Sequence, residues 1–206
     1  MKKTELVYRE ILYQFMEKEN NCFTQKELSL KLGTSISNVN QSLTPFKKMY
    51  AIKTNPRNFT LVNSKKILYY WASVRNLKKD IIYSTRVDKS VAEIEKNMTA
   101  DVIYGAYSAY KFKFKQAPSD YSEVYVYSNS IDEIKKRFPH NKNNPNLFVL
   151  KKDSIIDKYG KTTTFAHTFV DLWNLEEWYA KEFLKEMEKK INRNGKIMQK
   201  WNTGIT

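Results

Sequence analysis

The chain has 206 residues, 41% hydrophobic and 28% charged, so it is expected to fold around a core rather than stay disordered. Its one cysteine excludes a disulfide framework and a cysteine-based zinc finger, and its two histidines argue against a histidine-rich metal cage. No apolar run reaches the roughly 20 residues that span a bilayer, and no secretion signal follows Met1. We therefore expect a cytoplasmic protein without a membrane partner.

Positive charge is concentrated in the N-terminal third. The chain carries 36 Lys and Arg against 22 Asp and Glu, for a net charge of +14. Between Leu28 and Lys79 there are ten basic residues and no acidic residue. Such a segment favours contact with a polyanion such as nucleic acid, because each cation can neutralise a phosphate. The alternative is a generally lysine-rich surface.

The first part of the chain is predicted to contain consecutive helices. Apolar residues at i, i+3 and i+4 spacing predict a helix over Thr4–Glu19. Thr24 and Glu27 then have the spacing of a capping box at the start of a second helix, Gln25–Leu32. Gly33 follows, where a tight turn between helices needs a positive φ.

A third helix is predicted to begin after Ser35, its N-cap. Pro45 lacks a backbone donor, so we expect the helix to end near Thr44, followed by an irregular turn or by a kinked continuation. The apolar face of this helix is predicted to be Ile36, Val39, Leu43 and Phe46. With small Ser29 four residues before Gly33, the spacing is typical of a helix-turn-helix, in which this third helix reads the DNA.

Polar residues of the third helix are the first candidate DNA contacts. Amides can pair with base edges, whereas hydroxyls and lysines suit phosphates or bases. The candidates are Ser35, Ser37, Asn38, Gln41, Thr44, Lys47 and Lys48.

A basic hairpin is predicted next. Ala51–Thr54 and Asn58–Val62 are strand-like, and residues 55–57, Asn-Pro-Arg, have turn chemistry. A hairpin directly after a recognition helix is typical of a winged helix. The wing adds three candidate DNA contacts, Lys53, Arg57 and Asn58. The alternative is a winged helix whose polar face is solvated or meets another protein.

The rest of the chain alternates short helices and strands, so the predicted fold class is α+β, with a winged helix-turn-helix followed by a mixed α/β domain. The domains are expected at 1–63 and 80–206, with a basic amphipathic helix at 64–79 connecting them. The polar tail from Asn194 is expected to be loose or to dock as a short helix through Trp201. Further helices are predicted at 90–98, 102–114, 131–138 and 176–192, strands at 81–87, 123–128 and 147–150, and a strand or extended segment at 162–170.

Three stretches carry a resemblance to a known family: Gly105–Tyr110, Glu123–Tyr127, and Phe169–Leu175 leading into Ala180. The chain resembles the AbiEi-type antitoxin and transcriptional-regulator family of type IV toxin–antitoxin systems over most of its length. The resemblance implies an N-terminal winged helix, a C-terminal domain related to nucleotidyltransferases, DNA binding and autoregulation of an operon. The first stretch also fits plain helix packing of small and aromatic residues.

An active nucleotidyltransferase would need a Gly-Ser turn and two carboxylates at i and i+2 on one strand, where they share a face and hold metal. Here Gly105 is followed by alanine, and the residues two positions after Asp120 and Glu123 are serine and tyrosine. We therefore expect a degenerate domain that is not an enzyme, with no catalytic residues, no metal and no cofactor.

The other reactive side chains favour structural roles. His167 stands four residues before Asp171 without an accompanying nucleophile, and His140 lies in a polar loop. Cys22 is expected to be a small buried apolar residue rather than a reactive thiol. Asn174 is expected to cap the last helix or, together with Asp171 and Trp173, to face a partner.

The main hypothesis from the sequence is a sequence-specific double-stranded DNA-binding regulator, as in an antitoxin-like autorepressor. Its second domain would sense a ligand, contact a protein partner such as a toxin, or mediate homodimerisation. Two alternatives stay open. One is an antitoxin that neutralises a partner toxin without reading DNA, and the other, less favoured, is a nucleotidyltransferase-like enzyme.

Overall fold

The computed structural model describes residues 1–191, whose helices and two separate sheets confirm the predicted α+β class. The chain divides into two units. Among the described residues, the first comprises Met1–Arg75, Thr164–Ala166 and residues 187–191, and the second comprises Asn76–Thr163 and His167–Glu186. The tail expected to be loose or to dock through Trp201 lies outside the described residues.

The first unit places helices beside a small antiparallel sheet of order β1-β3-β2. Phe23 of the first strand pairs with Phe59, and their rings stack with centroids 5.4 Å apart. The helix expected to connect two domains lies within this unit and ends at Val74 rather than at Lys79. The elements are α1 (Lys3–Glu17), β1 (Cys22–Phe23), α2 (Gln25–Leu32), α3 (Ile36–Lys48), β2 (Ile52–Thr54), β3 (Phe59–Leu61) and α4 (Ser64–Val74).

The turn between α2 and α3 forms as its sequence predicts. The Thr24 hydroxyl accepts a hydrogen bond from the Glu27 backbone at 3.1 Å, and the Thr24 backbone donates to the Glu27 carboxylate. Gly33 ends α2 with a φ of 58°. The hydroxyl of Ser29 donates to the Thr34 carbonyl at 2.6 Å, which closes the turn. The predicted capping box and glycine turn are therefore confirmed.

Helix α3 continues through Pro45, so the predicted end near Thr44 is wrong. The proline leaves one carbonyl in the preceding turn without its helical donor, but its own carbonyl accepts the Met49 backbone N–H at 3.0 Å. Phe46 is fully buried and its ring centroid lies 4.8 Å from that of Tyr8. Burial of this aromatic side chain offsets the lost hydrogen bond. Ile36, expected on the buried face, is 52% exposed.

A buried charged network joins α1 to the end of α4. The Glu5 carboxylate accepts hydrogen bonds from the Trp71 indole at 3.1 Å and from the Arg75 guanidinium at 3.3 Å. All three residues are buried. Because each charge is paired inside the protein, the network fixes the contact between the two helices.

The second unit contains a four-stranded mixed sheet of order β4-β7-β6-β5. The two central strands run parallel, and each edge strand runs antiparallel to its neighbour. The elements are β4 (Ile81–Thr85), α5 (Val91–Lys96), β5 (Ile103–Tyr104), α6 (Ala106–Phe114), β6 (Val124–Ser128), α7 (Ile131–Arg137) and β7 (Leu147–Lys151), followed by α8 (Phe165–Trp173) and α9 (Trp178–Lys190). Short 3₁₀ turns form at Leu77–Asp80 and Ile156–Tyr159.

Two predictions in this part of the chain are wrong. Residues 102–114 are not one helix, because Gly105 separates β5 from α6 and its backbone N–H bonds to the β6 carbonyl of Tyr125. Residues 162–170 do not form a strand, apart from an isolated bridge at Thr162. The helix α8 forms there instead, because Phe165 and Phe169 bury one helical stripe at i, i+4 spacing.

Candidate nucleic-acid interface

One face of α3 presents polar side chains to the surface. Its exposed residues recur at the i, i+4, i+7 and i+11 spacing of a single helical stripe. They are Ser37, Gln41, Thr44 and Lys48. The opposite face carries Val39, Leu43 and Phe46, which are fully buried and fasten α3 to the first unit. The helix is therefore held from behind, and this stripe exposes an amide, two hydroxyls and an ammonium; the amide of Asn40 is exposed beside the stripe.

Two of the predicted contact residues are used by the turn itself. The Ser35 hydroxyl accepts the Asn38 backbone N–H at 3.1 Å, as an N-cap does. The Asn38 side chain is half-buried and donates to the Thr34 hydroxyl at 3.1 Å. Both side chains therefore position the start of α3, and Gln41 is the exposed amide of the predicted set.

The lysines at the end of α3 differ in their surroundings. Lys47 is half-buried and its ammonium donates to the Asn40 side chain at 2.9 Å, whereas Lys48 is exposed. Lys66, which the sequence reasoning did not single out, donates to the Met49 carbonyl at 2.7 Å. A cation at this end of a helix complements the helix dipole and adds positive charge beside α3.

The hairpin after α3 exposes two of its three predicted contacts, Lys53 and Arg57. The third, Asn58, closes the turn. Its backbone carbonyl accepts the Asn55 N–H at 2.8 Å, and its side-chain oxygen accepts the Asn55 amide at 2.7 Å. The turn is thus held by two bonds between the same residues, which presents Arg57 at a fixed place on the surface.

Two carboxylates of the first unit are withdrawn from its surface. Of the five acidic residues before Leu28, Glu5 and Glu10 are buried, Glu17 is half-buried, and Glu19 and Glu27 are exposed. Glu5 is paired with Arg75, and Glu10 lies 2.5 Å from the Lys31 ammonium. The exposed cations of α3 and the hairpin, Lys48, Lys53 and Arg57, follow in the carboxylate-free segment. Their combined field attracts a polyanion.

Two exposed apolar side chains on or beside α3 were not predicted. Ile36 is 52% exposed in the first turn, and Tyr50, just beyond the C-terminal end, is 80% exposed. Tyr50 has a φ of 55°, an unusual value for a bulky residue. The helical spacing of apolar residues by itself predicts that Ile36 belongs to the core. Its place directly after the N-cap Ser35 indicates instead that it precedes the buried face of the helix.

The histidine–aspartate pair of the second unit lies in a packed interior. His167 and Asp171 stand four residues apart on α8 and are buried, with His167 Nε2 and Asp171 Oδ2 3.5 Å apart. The Tyr127 hydroxyl donates to Asp171 Oδ2 at 2.6 Å and lies 3.0 Å from His167 Nε2. A Cβ added at Gly105 would lie 3.0 Å from the Tyr127 ring. This cluster joins β6 to α8, and its close packing against Gly105 leaves little room for a side chain at that position.

The remaining candidates for chemistry each have surroundings of their own. Asp120 is exposed, while burial raises the pKa of Glu123, which accepts a hydrogen bond from the Tyr179 hydroxyl. His140 is exposed in its loop. Within residues 1–191, no group of three or more His, Cys, Asp or Glu side chains is placed to hold a metal ion. Cys22 is exposed, so its predicted burial is wrong; the short β1 lies beside a single neighbouring strand, and this residue faces away from the core.

Comparison with known proteins finds no match of this chain to a protein-family model, to a curated protein or to a solved structure. Of the helices in the described part of the chain, none has both the length and the apolar character needed to cross a membrane.

Proposed function

We propose that this protein is a sequence-specific double-stranded DNA-binding transcriptional regulator and that its first unit is a winged helix-turn-helix. The observation that carries the proposal is the exposed polar stripe of α3 beside a basic hairpin, in a segment without carboxylates. The element order α1-β1-α2-α3-β2-β3 and the sheet order β1-β3-β2 support it. This order places the hairpin directly after the exposed helix, as a wing requires.

In this proposal α3 enters the major groove. Gln41 pairs with a base edge, and Ser37 and Thr44 contact bases or phosphates on either side of it. Exposed Ile36 and Tyr50 provide apolar contacts, for instance to a thymine methyl group or a sugar. Ser35 and Asn38 act indirectly, by fixing where the helix starts.

Phosphate contacts hold the protein on the duplex. Lys48, at the end of α3, and Lys53 and Arg57, in the hairpin, are the exposed cations assigned to this task. Each neutralised phosphate releases counterions, so binding through these residues weakens steeply as salt rises. Asn58 holds the turn that presents Arg57, and Lys47 lies against the helix surface.

The second unit is proposed to have no catalytic role, in keeping with an AbiEi-like autorepressor. Strand β6, Val124–Ser128, carries no carboxylate, and the histidine–aspartate pair is enclosed by protein. A second candidate function, an antitoxin that binds a partner protein without reading DNA, is favoured by Trp173 and Trp178, which are 44% and 68% exposed. Exposed tryptophans are common anchors of protein interfaces.

The full chain is used to select duplexes from a random pool at two salt concentrations, and sequencing of the bound duplexes tests the proposal. We expect an enriched sequence motif and an affinity that falls steeply as salt rises. Absence of enrichment, or binding that is indifferent to salt, would contradict DNA reading. Co-purification of a protein partner would then favour the second candidate.

A further inference from the structure

A positively charged cleft lies in the second unit, away from α3 and the hairpin in sequence. It consists of two pockets of about 580 and 630 Å³ that share Arg86, Asp88 and Lys142. One wall follows β4 and the other is the loop between α7 and β7. The sequence of this loop predicts only that it is polar.

Buried polar side chains hold both walls in place. Thr85, fully buried at the end of β4, donates to the Pro139 carbonyl at 2.9 Å and accepts the Asn141 N–H at 2.8 Å. Asn146, 5% exposed, accepts the Val87 N–H at 2.8 Å and donates to the Val87 carbonyl at 3.0 Å. The cleft is therefore preformed, so a ligand need not order these loops on binding.

Cations crowd the cleft. Arg86, Lys89, Arg137 and Lys142 line it, against one acidic residue, Asp88, among the described residues that form it. Like charges that line one cleft repel one another, and an anion in the cleft would relieve the repulsion.

Two of the cations are oriented by neighbours. The Arg86 Nε donates to Asp88 at 3.2 Å, and one terminal nitrogen of Arg137 donates to the Asn97 carbonyl at 2.8 Å. Each contact uses one donor edge of a guanidinium that has five N–H groups, so further donors are left for a ligand.

Part of the lining is apolar. Val87 and Phe138 are buried, Pro139 is exposed next to Phe138, and His140 and Asn141 add a ring and an amide. Charged groups beside a partly apolar lining are typical of small-molecule sites.

We infer that this cleft binds a small phosphate-bearing molecule, with the phosphate held by Arg86, Lys89, Arg137 and Lys142 and the rest of the molecule against Val87 and Pro139. Arginine forks and lysine ammonium groups are the usual partners of phosphate oxygens. The lining comes from two short segments, residues 86–89 and 137–144, which favours a small ligand over a DNA duplex, whose phosphates are spread along its length. The inference does not depend on the function proposed for the first unit.

Calorimetric titration of the full chain, without DNA and at low salt, tests it with three probes: inorganic pyrophosphate, ADP and glucose 6-phosphate. We expect at least one probe to bind, more weakly as salt rises. Equal binding of all three would show that the site reads phosphate alone, and tighter binding of ADP would show that the apolar part of the lining contributes. Failure of all three to bind up to about 10 mM would overturn the inference.

Substitutions of residues that line the cleft test whether the probes bind there. Arg86→Gln with Lys142→Gln is expected to weaken binding about tenfold or more, and Asp88→Asn is expected to tighten it a few-fold, because the Arg86 guanidinium loses a competing anion. Lys181→Gln, an exposed lysine of α9 that does not line the cleft, is the matched control. Binding that is unchanged in the double variant, or a duplex that binds this cleft while the small probes do not, would overturn the inference.

Discussion

The exposed stripe of α3 and the buried cluster around Tyr127 are built from similar polar groups in opposite environments. Gln41 and Lys48 reach the surface with an apolar helix face fixed behind them. Tyr127, His167 and Asp171 face one another in the interior, with hydroxyl and carboxylate oxygens 2.6 Å apart. Polar groups that satisfy one another hold a fold together, whereas exposed groups on a fixed frame are available to a ligand.

This comparison predicts that the largest loss of stability comes from a buried charge. Glu5→Gln removes the anion that faces Arg75, and we expect the free energy of unfolding to fall by about 3–5 kcal/mol. Denaturant unfolding of the full chain measures the loss. Exposed Glu19→Gln is the control and should change stability by no more than about 0.5 kcal/mol. Equal effects of the two variants would contradict the assignment of the Glu5 network to the core.

The cluster of the second unit is expected to show a smaller loss. Tyr127→Phe deletes the hydroxyl that donates to the buried Asp171 carboxylate, which should cost about 1–3 kcal/mol of unfolding free energy. Tyr50→Phe removes the same hydroxyl from a side chain that is 80% exposed and should cost almost nothing. If Tyr127→Phe were as mild as Tyr50→Phe, the cluster would not be part of what holds β6 to α8.

The opposite pattern is expected on α3. Gln41→Ala should leave the unfolding free energy nearly unchanged but reduce discrimination between the selected duplex and a scrambled one by about 1–3 kcal/mol, if Gln41 pairs with a base. Competition binding with the two duplexes measures this difference. Gln116→Ala, an exposed glutamine of the second unit, is the matched control. Unchanged relative affinity for the two duplexes would reject base reading by Gln41.

The smallest expected effect concerns Glu123. Burial raises the pKa of this carboxyl, so the folded state binds its proton more tightly than the unfolded state does. The stability that this contributes is present below the ordinary glutamate pKa and is lost as pH rises through the raised value. Glu123→Gln should therefore gain stability relative to wild type as pH rises from about 4 to about 7. Denaturant unfolding at several pH values measures this, and a difference that does not change with pH would contradict it.

Local signals predicted the first unit well. The Thr24–Glu27 capping box, the turn at Gly33 and the hairpin strands depend on contacts between residues close in sequence, and each formed near its predicted place. The exceptions arose where tertiary burial outweighed a local rule. Pro45 did not end α3, because Phe46 packs into the core one residue later.

Non-local arrangements were not predictable from one sequence. The polar loop before β7 becomes one wall of a cleft only because Thr85 and Asn146 tie it to the end of β4, more than fifty residues apart in the chain. The sequence predicts a strand or extended segment at 162–170, yet the aromatic stripe of α8 decided the structure. Likewise, Asn38 and Asn58 had the chemistry of DNA contacts, and only the structure revealed that their side chains hold turns.

The salt dependence of duplex binding tests the central claim most directly. The triple variant Lys48→Gln, Lys53→Gln and Arg57→Gln is compared with wild type in titrations of the selected duplex. The logarithmic slope of affinity against salt should fall in magnitude by about 2.7, since each lost phosphate contact removes about 0.9. As a control, Lys96, Lys151 and Lys181 of the second unit, all exposed, are changed to Gln together, which should leave the slope unchanged. Equal slopes for wild type and the first triple variant would contradict a DNA interface on α3 and the hairpin.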